Sequence, residues 1–385
     1  MENKKGHIDW FILLPVAALM MFSLAFVYSA SATISELKFG GDSALFWSHS
    51  LRIIIAIIVL LVFANIDYHH WQKLSKALIL FSVFMLLMVL VAGTTIKGAT
   101  RWIDLGPIRI QPSEFAKFAL VIHFASLLAD KQKWIKDFKL GFLPFLVWLG
   151  LICLLIALQP NFSTMAILFV IAVAMLFVGN TQILHVLGTI FGGAILGGIY
   201  AVSAEYRMKR LLGFFGMEEG AADGVNYQLN QALIALGNGG LVGVGAGQSK
   251  QSQMFLPESY GDFIFSVIGE EYGFIGLFII ITAFVLIFWR GLIIAKKAPD
   301  NFGYFLAIGI IITFAIYVFV NAGVNTGLLP TTGIPMPFLS YGGTAVIIYA
   351  AAIGTLLNIS AHAGVYPRIE EEHSLNEEDK KFEQD

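Results

Sequence analysis

The 385-residue chain has 13% charged and 57% apolar residues and a net charge of −2. A soluble domain carries about 25% charged residues, so this composition excludes an ordinary soluble domain. The slight acidic excess argues against a nucleic-acid partner. The single cysteine, Cys153, lies in an apolar run, which excludes a disulfide framework and a cysteine-based metal site.

Apolar runs long enough to cross a membrane recur along the chain. A membrane helix needs about 20 mainly apolar residues. The run at 10–32 is longer than the apolar core of a cleaved signal peptide, about 7–15 residues, so we interpret it as a first span. Backbone amides in lipid must be satisfied within their own segment, which predicts an all-α polytopic membrane protein. The roughly ten predicted spans are residues 10–32, 46–65, 74–94, 113–129, 141–158, 163–179, 182–203, 262–290, 303–322 and 338–361.

Lysine and arginine are concentrated in the short connections on one side of these spans. Short cytoplasmic loops are enriched in both residues, so this pattern predicts that both termini are cytoplasmic. The predicted units are a cytoplasmic N-terminus at 1–9, a membrane domain at 10–361 with a large outward loop at 204–261, and a disordered cytoplasmic tail at 362–385. The basic residues on this side are Lys4, Lys5, Lys73, Lys76, Lys131, Lys133, Lys136, Lys139, Arg290, Lys296 and Lys297.

The first outward loop and the span that follows contain polar residues suited to binding an anion. Arg101 lies in the loop, and the stretch Gln-Pro-Ser-Glu at 111–114 is typical of a helix start. Glu114 and Lys117 are three residues apart and can pair on one helix face. This pair is either a structural ion pair or part of a polar cavity with an ammonium placed for a phosphate, and we favour the cavity. The turn beginning at Gln159 is a weaker signal, because its proline and asparagine can simply separate two helices.

The large outward loop carries a basic cluster and a glycine-rich stretch. Arg207 and Arg210 either anchor the chain at the membrane surface or hold an anionic headgroup, because the arginine fork matches phosphate oxygens. The glycines at 237–247 either let the backbone approach a ligand or only form turns. No Gly-Lys-Ser/Thr sequence follows them, so the stretch is not interpreted as a nucleotide site.

The block at 256–273 has the sharpest chemical pattern. Glu258 and Asp262 precede an apolar run, and Glu270 and Glu271 lie about two turns deeper. Asp262 is predicted at the outer mouth of the eighth span, where partial desolvation would raise the pKa of its carboxyl toward the range of a general base. The structural alternative for Asp262 is an N-cap, which is compatible with the catalytic one.

Three prolines and several glycines interrupt the chain at 321–343, a stretch that includes Ser340. Irregular backbone at membrane depth is tolerated where it is buried in protein or lines a cavity. A bent hairpin between spans nine and ten is the simpler interpretation, and we favour a cavity wall.

Taken together, these blocks resemble the bacterial SEDS family of shape, elongation, division and sporulation proteins. The similarity extends from the first span to about residue 360. It rests on Arg-Trp at 101–102 with Gln-Pro-Ser-Glu-x-x-Lys at 111–117, on the block from Leu256 to Gly273, and on Leu-Pro-Thr-Thr-Gly-Ile-Pro at 329–335 with Ser-Tyr-Gly-Gly at 340–343.

The resemblance implies a ten-span peptidoglycan glycosyltransferase of the bacterial cytoplasmic membrane that polymerises lipid II. It implies a class B penicillin-binding protein as partner, together with other divisome proteins. The stretches 28–31 and 247–251 are more similar to the division branch than to the elongation branch, which predicts a septal location. Asn161 stands where the family commonly has aspartate, so no catalytic or metal role is expected of that turn.

The family's essential acid falls on Asp262, which we expect to act as general base. A divalent cation, Mg or Mn, is a further expectation, with Glu114 or Asp262 as ligand. The alternatives are a lipid II transporter, an elongation-type polymerase and a non-catalytic protein that recruits a transpeptidase. The expected substrate-binding residues are Arg101, Glu114, Lys117, Gln159, Arg207, Arg210, Glu258 and Ser340.

Overall fold

The computed structural model describes residues 6–96, 99–104, 109–215 and 225–364. Lys4, Lys5 and the tail from residue 365 lie outside these ranges, so the predicted disorder of the tail stays a prediction. The described chain is built almost entirely of helices, and the prediction of an all-α polytopic fold is confirmed. The helices are α1 Trp10–Phe39, α2 Ala44–Asn65, α3 His69–Ala92, α4 Pro112–Lys131, α5 Leu143–Ala157, α6 Phe162–Val178, α7 Ile183–Val202, α8 Glu205–Phe214, α9 Val225–Gly239, α10 Ile264–Lys296, α11 Asn301–Asn325 and α12 Thr344–His362.

Nine stretches of helix in the described ranges are long and apolar enough to cross a membrane. One of them is α5 together with the π-helical turn Phe138–Phe142 that precedes it. The remaining predicted span, 163–179, corresponds to α6, which is apolar but 17 residues long. Several helices are longer than the predicted apolar spans, because their backbone hydrogen bonding continues into the polar residues beyond the span. For example, α1 continues to Phe39 and is capped by Gly40, whose φ of 72° is left-handed and turns the chain.

The connections predicted as cytoplasmic meet on one face of the molecule. The Gly6 N–H donates to the Ala361 carbonyl at 2.8 Å, so the two ends of the described chain are adjacent. Arg290, near the end of α10, forms an ion pair of 2.6 Å with the buried Asp9. These contacts define the basic face, the side of the bundle that carries the lysine-rich connections.

The bundle has a buried centre and a lipid-facing rim. The apolar windows of α4 and α12 are each 83% buried, whereas that of α7 is 6% buried. In the contacts between helices, α4 packs against α3 and α11, and α12 packs against α2. The starts of α4 and α12 lie together on the side opposite to the basic face, where the Gln111 N–H donates to the Thr344 hydroxyl at 2.9 Å.

The loops predicted to face outward contain more regular structure than the sequence predicted. The predicted loop 204–261 includes α8, α9 and a π-helical turn at Gln251–Phe255. The loop between α3 and α4 folds into a small antiparallel sheet in the order β1, β2, β3. Its strands are β1 Thr94–Ile96, β2 Ala99–Asp104 and β3 Arg109–Ile110.

The continuous span predicted at 262–290 is interrupted inside α10. Gly273 has φ 66° and ψ −164°, a conformation that divides α10 into a short buried helix and a long apolar one. This region of φ and ψ is essentially restricted to glycine. The short helix carries Glu270 and Glu271 and follows directly after the loop that holds Asp262.

Candidate active site

A cavity of about 970 Å³ opens on the face opposite to the basic face. Thr344, at the start of α12, lines it, whereas Asn358, near the end of α12, bonds to the backbone of Tyr68 between α2 and α3. The predicted site residues that line the cavity are Arg101, Glu114, Arg207, Arg210, Glu258 and Asp262.

Asp262 is held through its backbone by two buried asparagines of α11. The side-chain N–H groups of Asn321 and Asn325 donate to the Asp262 carbonyl at 2.8 and 3.0 Å. The Asn325 side-chain oxygen accepts from the backbone N–H and the hydroxyl of Ser266, at 3.1 and 2.7 Å. Phe263 occupies the N-cap position of α10, so Asp262 is not the helix cap. Its half-buried side chain faces the cavity.

Backbone N–H groups of the glycine-rich stretch bond to the carbonyls that precede the break at Gly273. The N–H groups of Val244 and Gly245 donate to the carbonyls of Glu270 and Glu271, at 2.9 and 3.0 Å. These carbonyls lose their helical partners at the break, and leaving them unsatisfied inside the bundle would be costly.

The backbone N–H groups that follow the break are also hydrogen-bonded to the glycine-rich stretch. The N–H groups of Phe274 and Ile275 donate to the carbonyls of Gly240 and Leu241, at 2.9 and 3.1 Å. A Cβ on Gly243 would collide with the backbone at Glu271. The glycines therefore allow one segment of backbone to pack closely against another. The sequence had suggested either close approach of a ligand or simple turns, and the structure shows neither of these as their main role.

Glu270 and Glu271 hold the same loop through their carboxylates. Glu270 accepts from the backbone N–H of Gln251 at 3.3 Å and from the Asn238 amide at 3.2 Å. Glu271 accepts from the backbone N–H groups of Gly247 and Ser249 and from the Ser29 hydroxyl of α1. Both glutamates are buried away from the cavity lining, so their contacts are structural.

Glu114 and Lys117 form a buried ion pair beneath the cavity. Their charged atoms are 2.7 Å apart and the two side chains are 7% and 4% exposed. The Lys117 ammonium also bonds to the Tyr317 hydroxyl and lies 4.3 Å from the centre of that ring. Glu114 reaches the cavity, whereas Lys117 does not line it. The ammonium thus orients Glu114 and Tyr317 at the cavity floor.

Arg101 and Arg207 line the cavity on the side of α5, α6 and α7. Arg101 donates to the backbone carbonyls of Gln159 and Pro160 at the turn between α5 and α6. Arg207 lies 3.9 Å from the centre of the Tyr200 ring of α7.

Like Lys117, Gln159 and Ser340 were expected in the site but lie outside the cavity lining. The buried Gln159 amide donates to the Leu86 carbonyl at 3.0 Å, so it joins α3 to the turn after α5. The Ser340 hydroxyl accepts from the Met336 backbone N–H at 2.8 Å and closes a turn in the proline-rich stretch.

The cavity also contains residues that the sequence analysis did not select. Arg52 of α2 lines it, and an arginine within an apolar span is by default a candidate functional residue, so the signal was present in the sequence. Tyr260 and Tyr341 line it as well, but tyrosines in loops are too common to be selected by type. Burial, together with the nearby Glu258, Tyr341 and Asp262, raises the pKa of Tyr260 to about 12, so its hydroxyl stays protonated near neutral pH.

The described residues do not provide a ready-made metal site. No group of three or more His, Cys, Asp or Glu side chains able to hold a metal occurs among them. Glu114 is already paired with Lys117. A cation bound here would depend on ligand oxygens supplied by a substrate.

Comparison with known proteins identifies the family. Residues 9–364 match the profile of the family described as cell cycle protein, which comprises FtsW, RodA and SpoVE. The chain belongs to this family. It is 40% identical to stage V sporulation protein E of Bacillus subtilis, over 94% of this chain and 100% of that protein. It is also 40% identical to a probable peptidoglycan glycosyltransferase FtsW of Geobacter sp. strain M18, over 94% of this chain and 98% of that protein.

Solved structures share the fold. A chain from a peptidoglycan synthase complex that coordinates polymerization and crosslinking matches with a TM-score of 0.76 and 24% identity, covering 93% of this chain and 99% of that one. The rod shape determining protein RodA of Thermus thermophilus matches with a TM-score of 0.64 and 23% identity, covering 94% and 98%.

Proposed function

We propose that this SEDS protein is a peptidoglycan glycosyltransferase that polymerises lipid II into β-1,4 glycan strands, with Asp262 as general base. The observation that carries the proposal is that the Asp262 carboxylate lines a cavity, opposite to the basic face, that Arg101, Arg207 and Arg210 also line. Family relatives named as probable peptidoglycan glycosyltransferases, 34–40% identical over most of the chain, support this activity.

The reaction joins a sugar hydroxyl to an anomeric carbon. Asp262 removes the proton from the 4-hydroxyl of the acceptor N-acetylglucosamine. The freed electron pair attacks the anomeric carbon of the donor N-acetylmuramic acid with inversion, and the bond to undecaprenyl pyrophosphate breaks. The departing pyrophosphate takes the electron pair, and the cavity arginines stabilise its developing charge. A positioned general base contributes about 10²–10⁴-fold to such a step.

Replacing Asp262 by asparagine tests this assignment. Asp262→Asn keeps the size of the side chain but cannot accept the proton, so purified protein should lose polymerisation of labelled lipid II by about 10²-fold or more. Asp130→Asn, an exposed carboxylate near the basic face, is the matched control. Both variants should retain the wild-type melting temperature in detergent. Polymerisation by Asp262→Asn at the control rate would show that Asp262 is not the general base.

The same purified protein distinguishes the other function classes. In liposomes with labelled lipid II, glycan chains indicate a polymerase, translocation without polymer indicates a transporter, and neither product indicates a recruiting protein. The outward position of the carboxylate-bearing cavity supports the polymerase, because transporters place their binding sites near the membrane midplane.

A divalent cation stays a proposal. No catalytic step is derived through it, because the described residues do not assemble a set of ligands of their own. Addition of a chelator, followed by Mg²⁺ or Mn²⁺, tests whether polymerisation requires one. Activity unchanged by chelation would contradict the expectation.

The proposed cellular role is septal wall synthesis with a class B penicillin-binding protein and other divisome proteins. The fold shared with a chain of a peptidoglycan synthase complex supports a crosslinking partner. The equal identity to a sporulation protein and to an FtsW makes sporulation wall synthesis the second candidate. A fluorescent fusion distinguishes the two by its position, at the vegetative septum or around the forming spore.

A further inference from the structure

Arg52 has an unusual position for an arginine in an apolar span. It lies in the middle of α2 and lines the cavity. One of its terminal nitrogens, Nη1, is buried and has no hydrogen-bond partner in the described part of the chain. A buried charged donor without an acceptor is costly. The geometry therefore points to an acceptor that a ligand supplies.

Tyr341 fixes the direction of this guanidinium. The Arg52 Cζ lies 4.7 Å from the centre of the Tyr341 ring, a cation–π arrangement. The Tyr341 N–H donates to the Tyr260 carbonyl at 2.8 Å. Its hydroxyl lies 3.3 Å from the Ser48 hydroxyl, one turn before Arg52 on α2. Arg52 is thus pre-organised before any ligand binds.

The wall that holds Arg52 differs from the wall that holds Arg101 and Arg207. Helix α2 packs against α1 and α12, whereas Arg101 bonds to the α5–α6 turn and Arg207 lies against α7. Lys38, near the end of α1, lines the cavity together with Arg52. Two groups of cations therefore occupy separate walls of one cavity.

The cavity lining has more cationic than anionic side chains, an excess that suits the binding of anionic groups. Its lining residues in the described ranges include six lysines and arginines but three carboxylates, so an excess of positive charge remains. The cations are Lys38, Arg52, Arg101, Arg109, Arg207 and Arg210, and the acids are Glu114, Glu258 and Asp262.

We propose that Arg52, supported by Tyr341, binds the pyrophosphate of the acceptor glycolipid, while Arg101, Arg207 and Arg210 hold the pyrophosphate of the donor. This inference rests on the proposed polymerase function, which requires two lipid-linked substrates at once. A planar guanidinium fork binds phosphate oxygens in pairs, so a phosphate group would supply the acceptor that the Arg52 Nη1 lacks.

The position of Arg52 relative to Asp262 suits the acceptor. The acceptor presents its hydroxyl to the base, and its own pyrophosphate lies two sugar rings away. The rings of Tyr341 and Tyr260, with centres 5.4 Å apart, connect Arg52 to the loop that carries Asp262. The donor pyrophosphate, in contrast, is attached directly to the reacting carbon.

Binding stoichiometry tests the proposal without requiring turnover. Native mass spectrometry of the purified chain titrated with undecaprenyl pyrophosphate should show two bound molecules for the wild type and one for Arg52→Ala. Lys133→Ala, an exposed lysine of the basic face, should still bind two. Arg52→Lys, which keeps the charge and most of the volume, guards against a folding defect and should bind the second molecule more weakly.

Kinetics provide the second measurement. With a fixed preformed glycan-pyrophosphate donor and titrated lipid II acceptor, Arg52→Ala should raise the half-saturating acceptor concentration about tenfold or more. Half-saturation by the donor should stay at the wild-type value. A single bound molecule in the wild type, two in Arg52→Ala, or equal effects on donor and acceptor would overturn the proposal. If two molecules bind but no glycan forms, the polymerase function fails while the two anion sites stand.

Discussion

At the scale of single residues, Glu114 and Lys117 show how a charge is kept inside this bundle. Both side chains are buried, and the ion pair is supplemented by the hydroxyl of Tyr317. Removing charges from water costs several kcal/mol per ion, which good geometry and added hydrogen bonds offset. Removing one partner would leave the other charge uncompensated.

We therefore expect Lys117→Met to destabilise the protein by about 3–5 kcal/mol. The double variant Glu114→Gln with Lys117→Met should recover part of this loss, because it buries no lone charge. Thermal unfolding in detergent measures both, with Lys133→Met as the exposed control. A double variant less stable than Lys117→Met would contradict the explanation.

The residue scale also shows what was predictable. The i,i+3 spacing identified the Glu114–Lys117 pair, because helix geometry alone places the two side chains together. It did not identify Tyr317, whose hydroxyl comes from 200 residues away. The sequence also suggested Gln159 and Ser340 as cavity residues. Loop side chains take their direction from distant partners, as Gln159 does from the Leu86 carbonyl.

At the scale of the elements, the break at Gly273 fixes the short helix that follows the loop carrying Asp262. Its freed backbone groups are satisfied by the segment 240–245, which belongs to a different part of the chain. The sequence pattern did not reveal this break, because the two glutamates before Gly273 and the apolar run after it are both compatible with one continuous helix.

Gly273→Ala should destabilise the protein by about 1–3 kcal/mol or more, because its backbone conformation is restricted to glycine and a Cβ would meet the backbone of Leu241 and Gly243. Gly237→Ala in α9 is the matched control, since a Cβ there meets nothing within 4 Å. Melting temperature and yield in the membrane measure the difference. Equal stability of the two variants would show that the break is not required.

The two asparagines of α11 are expected to position Asp262. Asn325→Asp keeps an oxygen for Ser266 but replaces the donor to the Asp262 carbonyl with a repelling carboxylate. We expect kcat to fall about tenfold or more with little change in KM, since small displacements of a catalytic group are costly. Ser266→Ala, which removes one contact to the same amide, should have a milder effect. Wild-type kcat in folded Asn325→Asp would argue against positioning.

At the scale of the whole molecule, the basic face and the cavity lie at opposite ends of the bundle. The adjacency of Gly6 and Ala361 places the described ends of the chain together. The sequence predicts that this end is cytoplasmic, because short basic loops stay on that side.

Cysteine labelling tests this orientation. In a Cys153→Ala background, an impermeant maleimide should label Gln248→Cys in intact cells, because residue 248 is exposed in the outward loop. Lys133→Cys, exposed on the basic face, should be labelled only after permeabilisation. The reverse pattern would invert the predicted topology.

The sequence alone determined the helical class, the approximate spans and six charged residues of the cavity lining. Each membrane span must form its backbone hydrogen bonds within its own segment, so the apolar run that identifies it can be recognised in the local sequence. The tertiary structure decided what depends on distant partners. It placed the Asp262 carbonyl on Asn321 and Asn325, broke α10 at Gly273, and brought Arg52 of α2 onto the Tyr341 ring. None of these follows from local pattern, because each is fixed by contacts between residues far apart in the chain.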